Sequence, residues 1–207
     1  MEAALIITRR RLSSLALVLL FTVCATPAWA EQTIVFLRHG EKPSGGLGQI
    51  TCQGLNRALA LPSVLLSKFG KPNYVYAPNP AVKISDPAGS FFYVRPLATI
   101  EPTAVRAGVS INTGYGYNDI ASVQQLLIKS SKANTTIFVA WEHAYLVKLV
   151  QSIMNKYGGG QTVPAWTTGD YDSLYVVRVT YSTNGITARF ERDSEDLNGQ
   201  PTSCPTH

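Results

Sequence analysis

The stretch Thr33-Ile-Val-Phe-Leu37, running straight into Arg38-His39-Gly40-Glu41-Lys42-Pro43, decides the fold. Its apolar run is short and continuous, without polar alternation. That is the pattern of a strand buried on both faces, as in a parallel sheet covered by helices. Pro43, Gly45, Gly46 and Gly48 then make a loop. From Thr51 the apolar residues recur at helical spacing through Leu55, Ala58, Leu59, Val64, Leu65 and Leu66, with Thr51 as the N-cap. Pro62 is expected to kink or break this helix.

The same alternation repeats along the chain. Tyr74-Val-Tyr76 reads as a strand, ended by Ala77-Pro-Asn-Pro80. Residues 81–94 read as an irregular insert. Arg95-Pro96 opens a helix to about Ala107, with proline in its favoured first turn. Gly108–Ile111 reads as a short strand, 112–117 as a turn and Asn118–Ser130 as a helix. Thr135–Ala140 is the clearest strand, β-branched and apolar, and the helix after Trp141-Glu142-His143 is stopped by Gly158-Gly-Gly160. Leu174–Tyr181 and Ile186–Phe190 flank Asn184-Gly185, a hairpin signal. Strands alternating with helices, then an antiparallel pair, predict an α/β protein: a three-layer α/β/α sandwich with a mostly parallel mixed sheet.

Residues 1–30 read as a leader. Arg9-Arg10-Arg11 precede the apolar run from Leu12 to Cys24, and Ala28-Trp29-Ala30 is a cleavage signal before Glu31. The apolar run is shorter than the roughly 20 residues of a spanning helix. Val23 is larger than the residue that usually precedes a lipidated cysteine, which argues against Cys24 as an anchor. The expectation is a secreted or periplasmic domain over 31–207, with no membrane association after cleavage and an irregular tail from Arg192 to His207. The whole chain has 18 basic and 13 acidic residues, and without the leader 15 against 12. So small an excess gives no case for nucleic acid. Cys52 and Cys204 are then the remaining cysteines, an even pair that export favours as a disulfide.

Ligands in open α/β sheets bind beyond the carboxyl ends of the strands. His39 and His143 both stand at such ends, Arg38 adjoins the first, and Arg95 opens a helix after a strand-like segment. Two imidazoles and two guanidiniums suit a dianionic oxyanion, because arginine offers planar paired donors to phosphate. A zinc site would use the same histidines, but the remaining one, His207, lies in the tail and no Cys or His spacing fits zinc. The triplet Arg38-His39-Gly40 alone is weak; the second histidine at a second strand end strengthens it.

Four segments, in order, resemble the histidine phosphatase superfamily, also called phosphoglycerate mutase-like. They are Val35-Phe-Leu-Arg-His-Gly-Glu41, Ile50-Thr51-Cys-Gln-Gly54-Leu-Asn-Arg57-Ala58, Arg95-Pro-Leu-Ala-Thr99-Ile-Glu-Pro102 and Trp141-Glu142-His143. The resemblance implies that His39 attacks phosphorus and becomes a phosphohistidine, and that Arg38, Arg95 and His143 hold the equatorial oxygens. It implies a small phosphorylated substrate and no cofactor or metal. For the proton donor, Glu142 is the first candidate and Asp119 the second, although a carboxylate at Asp119 also suits a helix N-terminus. Glu142 could equally orient an arginine. Glu41 reads as a loop or ion-pair residue. The 81–94 insert is expected to wall or cover the pocket, and Tyr115, Tyr117 and Trp166 either line it or pack ordinarily. Three readings stay open: an exported phosphomonoesterase, a non-catalytic anion-binding domain, and a phosphatase of protein phosphohistidine or envelope sugar phosphates.

Overall fold

The computed structural model describes residues 29–206. The leader reading for 1–28 lies outside the described residues, as does His207. In chain order the elements are β1 (Ala30–Arg38), α1 (Cys52–Phe69), β2 (Tyr74–Tyr76), β3 (Ile84–Asp86), β4 (Gly89–Phe91), α2 (Arg95–Ala107), β5 (Ile111–Asn112), α3 (Ile120–Leu127), β6 (Thr136–Trp141), α4 (His143–Tyr157), β7 (Ser173–Ser182) and β8 (Gly185–Ser194).

The main sheet has six strands in the order β5-β2-β6-β1-β7-β8. β5, β2, β6 and β1 run parallel; β7 runs antiparallel to β1, and β8 antiparallel to β7. β1 lies inside the sheet, between β6 and β7, which is why its apolar run is unbroken. Side chains alternate across a strand. Ile34 and Phe36 therefore join Leu146, Leu149 and Val150 of α4 on one face. Val35 and Leu37 join Leu61 and Leu65 of α1 and Ile100 of α2 on the other. Helices cover both faces, giving the three-layer sandwich with a mostly parallel mixed sheet.

Several local expectations need correction. α1 continues unbroken through Pro62, which is buried beside Leu61 and Leu65. The burial of that face outweighs the one backbone hydrogen bond that proline removes. The strand at 108–111 contracts to Ile111–Asn112, because Gly108 caps α2 in the left-handed conformation at φ 64°. The helix at 118–130 contracts to Ile120–Leu127, followed by a 3₁₀ turn over Ser130–Lys132. The insert at 81–94 is not irregular: β3 and β4 pair antiparallel, Ile84 opposite Phe91. β8 extends past Phe190 to Ser194, so the tail begins later. That tail is tied back by the Cys52–Cys204 disulfide and by Asn56, which donates to the carbonyls of Pro201 and Ser203. No helix among the described residues is long and apolar enough to cross a membrane.

Candidate active site

Register brings the site together. β1 pairs with β6 so that Arg38 faces Trp141, and the His39 amide donates to the Trp141 carbonyl at 3.3 Å. One step beyond that level, His39 leaves β1 while Glu142 and His143 leave β6. Arg95 arrives from the start of α2, whose Thr99 hydroxyl accepts from the Gly40 amide at 2.9 Å.

Two glycines let this loop sit against α1. A side-chain carbon on Gly40 would come within 3.0 Å of Gly54, and one on Gly54 within 2.7 Å of the Glu41 carbonyl. Thr51 caps α1, accepting from the Gly54 amide at 3.1 Å, and its own amide donates to the Glu41 carbonyl at 2.8 Å. The cap that starts the helix thus also fixes the loop. Glu41 pairs with Arg57, whose buried guanidinium also reaches Asp172 at 3.2 Å and Glu195 at 2.6 Å. Burial works to lower the Arg57 pKa, but Glu41 and Glu195 together raise it.

His39 is 2 % exposed. Its Nδ1 lies 2.7 Å from the Gly40 carbonyl, an acceptor, so Nδ1 carries the proton and Nε2 keeps its lone pair. Burial, reinforced by Arg95 and Arg38, lowers its pKa to about 3. The imidazole is therefore neutral at physiological pH.

Both arginines are buried and partly engaged. Arg38 gives one terminal nitrogen to the carbonyls of Thr168 at 2.6 Å and Asp170 at 2.9 Å, and its guanidinium stacks 4.0 Å from the centre of the Tyr171 ring. Arg95 gives both terminal nitrogens to Asp86, at 2.7 and 3.1 Å, with the Gly46 carbonyl accepting at 3.1 Å. Asp86 ends β3, so the insert works here as a brace on Arg95. Six buried side-chain polar atoms among the described residues have no hydrogen-bonding protein partner; four belong to Arg38 (Nε), Tyr93 (hydroxyl), Arg95 (Nε) and His143 (Nδ1). Such atoms are few in native proteins, and here they concentrate around one histidine.

Glu142 caps α4, accepting from the Tyr145 amide at 2.9 Å, and its other oxygen is 2.7 Å from His143 Nδ1, off-line for an ideal hydrogen bond. Burial pushes the Glu142 carboxyl up, but His143, the Tyr145 amide and His39 together hold it below its ordinary value. Asp119 stands at the head of α3 and turns back to accept from the Gly116 amide at 3.0 Å. Tyr117 belongs to an aromatic row with Tyr93 and Tyr145, ring centres 5.4 and 5.3 Å apart. Trp166 instead packs in the core on Tyr175, and Tyr115 lies at that core's edge.

Sequence reasoning missed Tyr93, Asp86, Tyr171 and the carbonyls of 167–170. The proximity of Tyr93 to Arg95 in sequence was the one available signal. Among the described residues no group of three or more His, Cys, Asp or Glu is placed to hold a metal ion.

The fold is similar to that of solved phosphoglycerate mutases and phosphatases. A phosphoglycerate mutase from Plasmodium falciparum superimposes with a TM-score of 0.52 at 11 % identity, over 86 % of this chain and 99 % of that one. A mycobacterial glucosyl-3-phosphoglycerate phosphatase in complex with inorganic phosphate gives 0.52 at 13 %, over 77 % and 95 %. A structure described as mycobacterial hydrolase 2 gives 0.52 at 12 %, over 78 % and 90 %. At these identities the likeness is one of fold. No protein-family model and no curated protein matches the sequence.

Proposed function

We propose that this protein is an exported, metal-independent phosphatase that hydrolyses phosphomonoesters through a phosphohistidine on His39. The observation that carries this reading is the set of buried, unpartnered donors on Arg38 and Arg95 beside a neutral His39 whose Nε2 is left free. Leaving a buried donor unpaired costs about 1–3 kcal/mol, and an oxyanion offers each of these a partner.

The His39 Nε2 lone pair attacks phosphorus, and the bond to the leaving oxygen breaks with its electron pair going to that oxygen. Arg38, Arg95 and His143 take the equatorial oxygens. Transfer of this kind depends on positioning and charge stabilisation. Water then attacks the phosphohistidine, releasing phosphate and restoring the imidazole. The leaving oxygen needs a proton, and Glu142 is the candidate donor. Its carboxyl is held low in the free protein, so the repulsion of a bound dianion must first raise it. Esters with good leaving groups, such as aryl phosphates, are therefore the favoured substrates.

Export is supported by the leader pattern and by the disulfide, a bond that persists in oxidising compartments. It argues against a mutase, whose substrates are cytosolic. A non-catalytic anion-binding role is the second reading, favoured by the ionised Glu142 and the engagement of Arg95 by Asp86. Phosphate release from a panel of aryl, sugar and protein-histidine phosphates separates the readings. Turnover that His39→Ala abolishes supports the phosphatase; phosphate binding without turnover of any substrate supports the binding domain.

A further inference from the structure

We infer that Tyr93 is a further catalytic residue of this site, its hydroxyl donating a hydrogen bond to a nonbridging oxygen of the phosphoryl group that His39 receives. The inference rests on the phosphatase reading above and adds a donor to it.

The position of Tyr93 is fixed by backbone. Its amide donates to the Pro80 carbonyl at 3.0 Å, and the amides of Val94 and Arg95 both donate to the Gly48 carbonyl, at 3.1 and 3.0 Å. The side chain therefore enters the site on the same short segment that delivers Arg95. Its ring meets His39 edge-on, centres 6.2 Å apart, and lies 4.9 Å from the Arg95 guanidinium carbon. Tyr117 closes the far side at 5.4 Å.

All of these contacts are made by the ring, and phenylalanine would make them equally well. The hydroxyl is what needs explaining. Tyr93 is wholly buried; Arg95 lies close enough to donate toward its hydroxyl oxygen, but no protein group accepts the hydroxyl's own proton. A buried hydroxyl without an acceptor is a cost. Arg38, Arg95 and Glu142 are the charged groups near enough to act on its ionisation, and these are the groups that flank His39. Burial raises its pKa beyond the ordinary phenol value, so the hydroxyl stays protonated and serves as a donor rather than as an acid.

A count of donors points the same way. Arg38 spends one terminal nitrogen on main-chain carbonyls, and Arg95 bonds Asp86 through both of its own. Arg38 thus keeps its Nε and its second terminal nitrogen, whereas Arg95 keeps its Nε alone. A phosphoryl group in transfer spreads charge over three equatorial oxygens. The Tyr93 hydroxyl, carried two residues before Arg95 on the same segment, adds the donor that Asp86 takes away.

Tyr93→Phe tests this, because it keeps the ring and deletes the one atom at issue. We expect kcat/KM for p-nitrophenyl phosphate to fall about 10²-fold, the usual effect of losing one oxyanion donor. Inorganic phosphate should bind more weakly by calorimetry, while Tm stays unchanged or rises, since an unpaired buried hydroxyl has been removed. A folded Tyr93→Phe protein with unchanged phosphate affinity and unchanged kcat/KM overturns the assignment and leaves the phosphatase reading intact. A wild-type protein that neither binds phosphate nor hydrolyses any ester overturns the reading itself, and Tyr93 with it.

Discussion

Asp86 and Arg95 form a bidentate, buried ion pair, with distances of 2.7 and 3.1 Å, across the hairpin that precedes α2. The carboxylate engages the two-nitrogen edge that an arginine would otherwise turn toward phosphate. Asp86 also accepts from the Gly48 amide at 2.9 Å. The hairpin thus fixes which part of Arg95 faces His39. Removing one partner of a buried pair typically costs about 3–5 kcal/mol, so Asp86→Ala is expected to lose that much stability. Inorganic phosphate should then raise its Tm by more than it raises that of the wild type, because the freed guanidinium edge gains an anion. Equal shifts in scanning calorimetry would contradict this role.

His39 carries a distinct pH signature. Its pKa is held to about 3 by burial and by the two arginines, against about 6.5 in an unfolded chain. Between those values the unfolded chain binds more protons, so this group makes stability rise with pH and adds no slope above about 6.5. An NMR titration should find the His39 imidazole neutral and Nδ1-protonated from about pH 5 to about pH 8. A midpoint near the ordinary histidine value contradicts the geometry.

Arg57 ties the loop after β1 to the end of the chain, through Glu41, Asp172 and the wholly buried Glu195. Arg57→Met leaves these carboxylates without their shared cation. A loss of about 3–5 kcal/mol in urea unfolding is expected. Adding Glu195→Gln should return part of it, which a double-mutant cycle measures. Independent, additive effects would show that the two residues do not act as a pair.

The Cys52–Cys204 disulfide closes a loop of 152 residues in sequence. The chain-entropy model assigns such a closure about 5 kcal/mol. Cys52→Ser/Cys204→Ser is expected to unfold at lower urea concentration by that order, with the active-site geometry kept. An unchanged midpoint contradicts the stabilising role.

The layers of the fold were legible because their cause is local. The run from Ile34 to Leu37 is apolar at every position, and only a strand covered on both faces asks for that. The two histidines were legible because each stands just beyond the carboxyl end of an apolar strand, and parallel pairing of β1 with β6 then brings them together. Glu41 fits the expectation of a loop or ion-pair residue, since it pairs with Arg57. Asp86 was not legible as a brace. Its role depends on a hairpin whose strands are three residues each, too short for a period to declare itself. Pro62 misled because a helix-breaking rule is local, whereas the burial that overrides it is tertiary. Tyr93 hid within the apolar segment Phe91-Phe-Tyr-Val94, where an aromatic reads as packing until its hydroxyl is placed in space.

The central claim is that His39 accepts the phosphoryl group. It is tested most directly by mixing the protein with p-nitrophenyl phosphate, quenching rapidly under alkaline conditions and locating phosphate by mass spectrometry. The account predicts an acid-labile, alkali-stable phosphate on His39 that forms in the wild type and is absent from His39→Ala, which also loses turnover. Full turnover by His39→Ala, or phosphate carried on another residue, would contradict it.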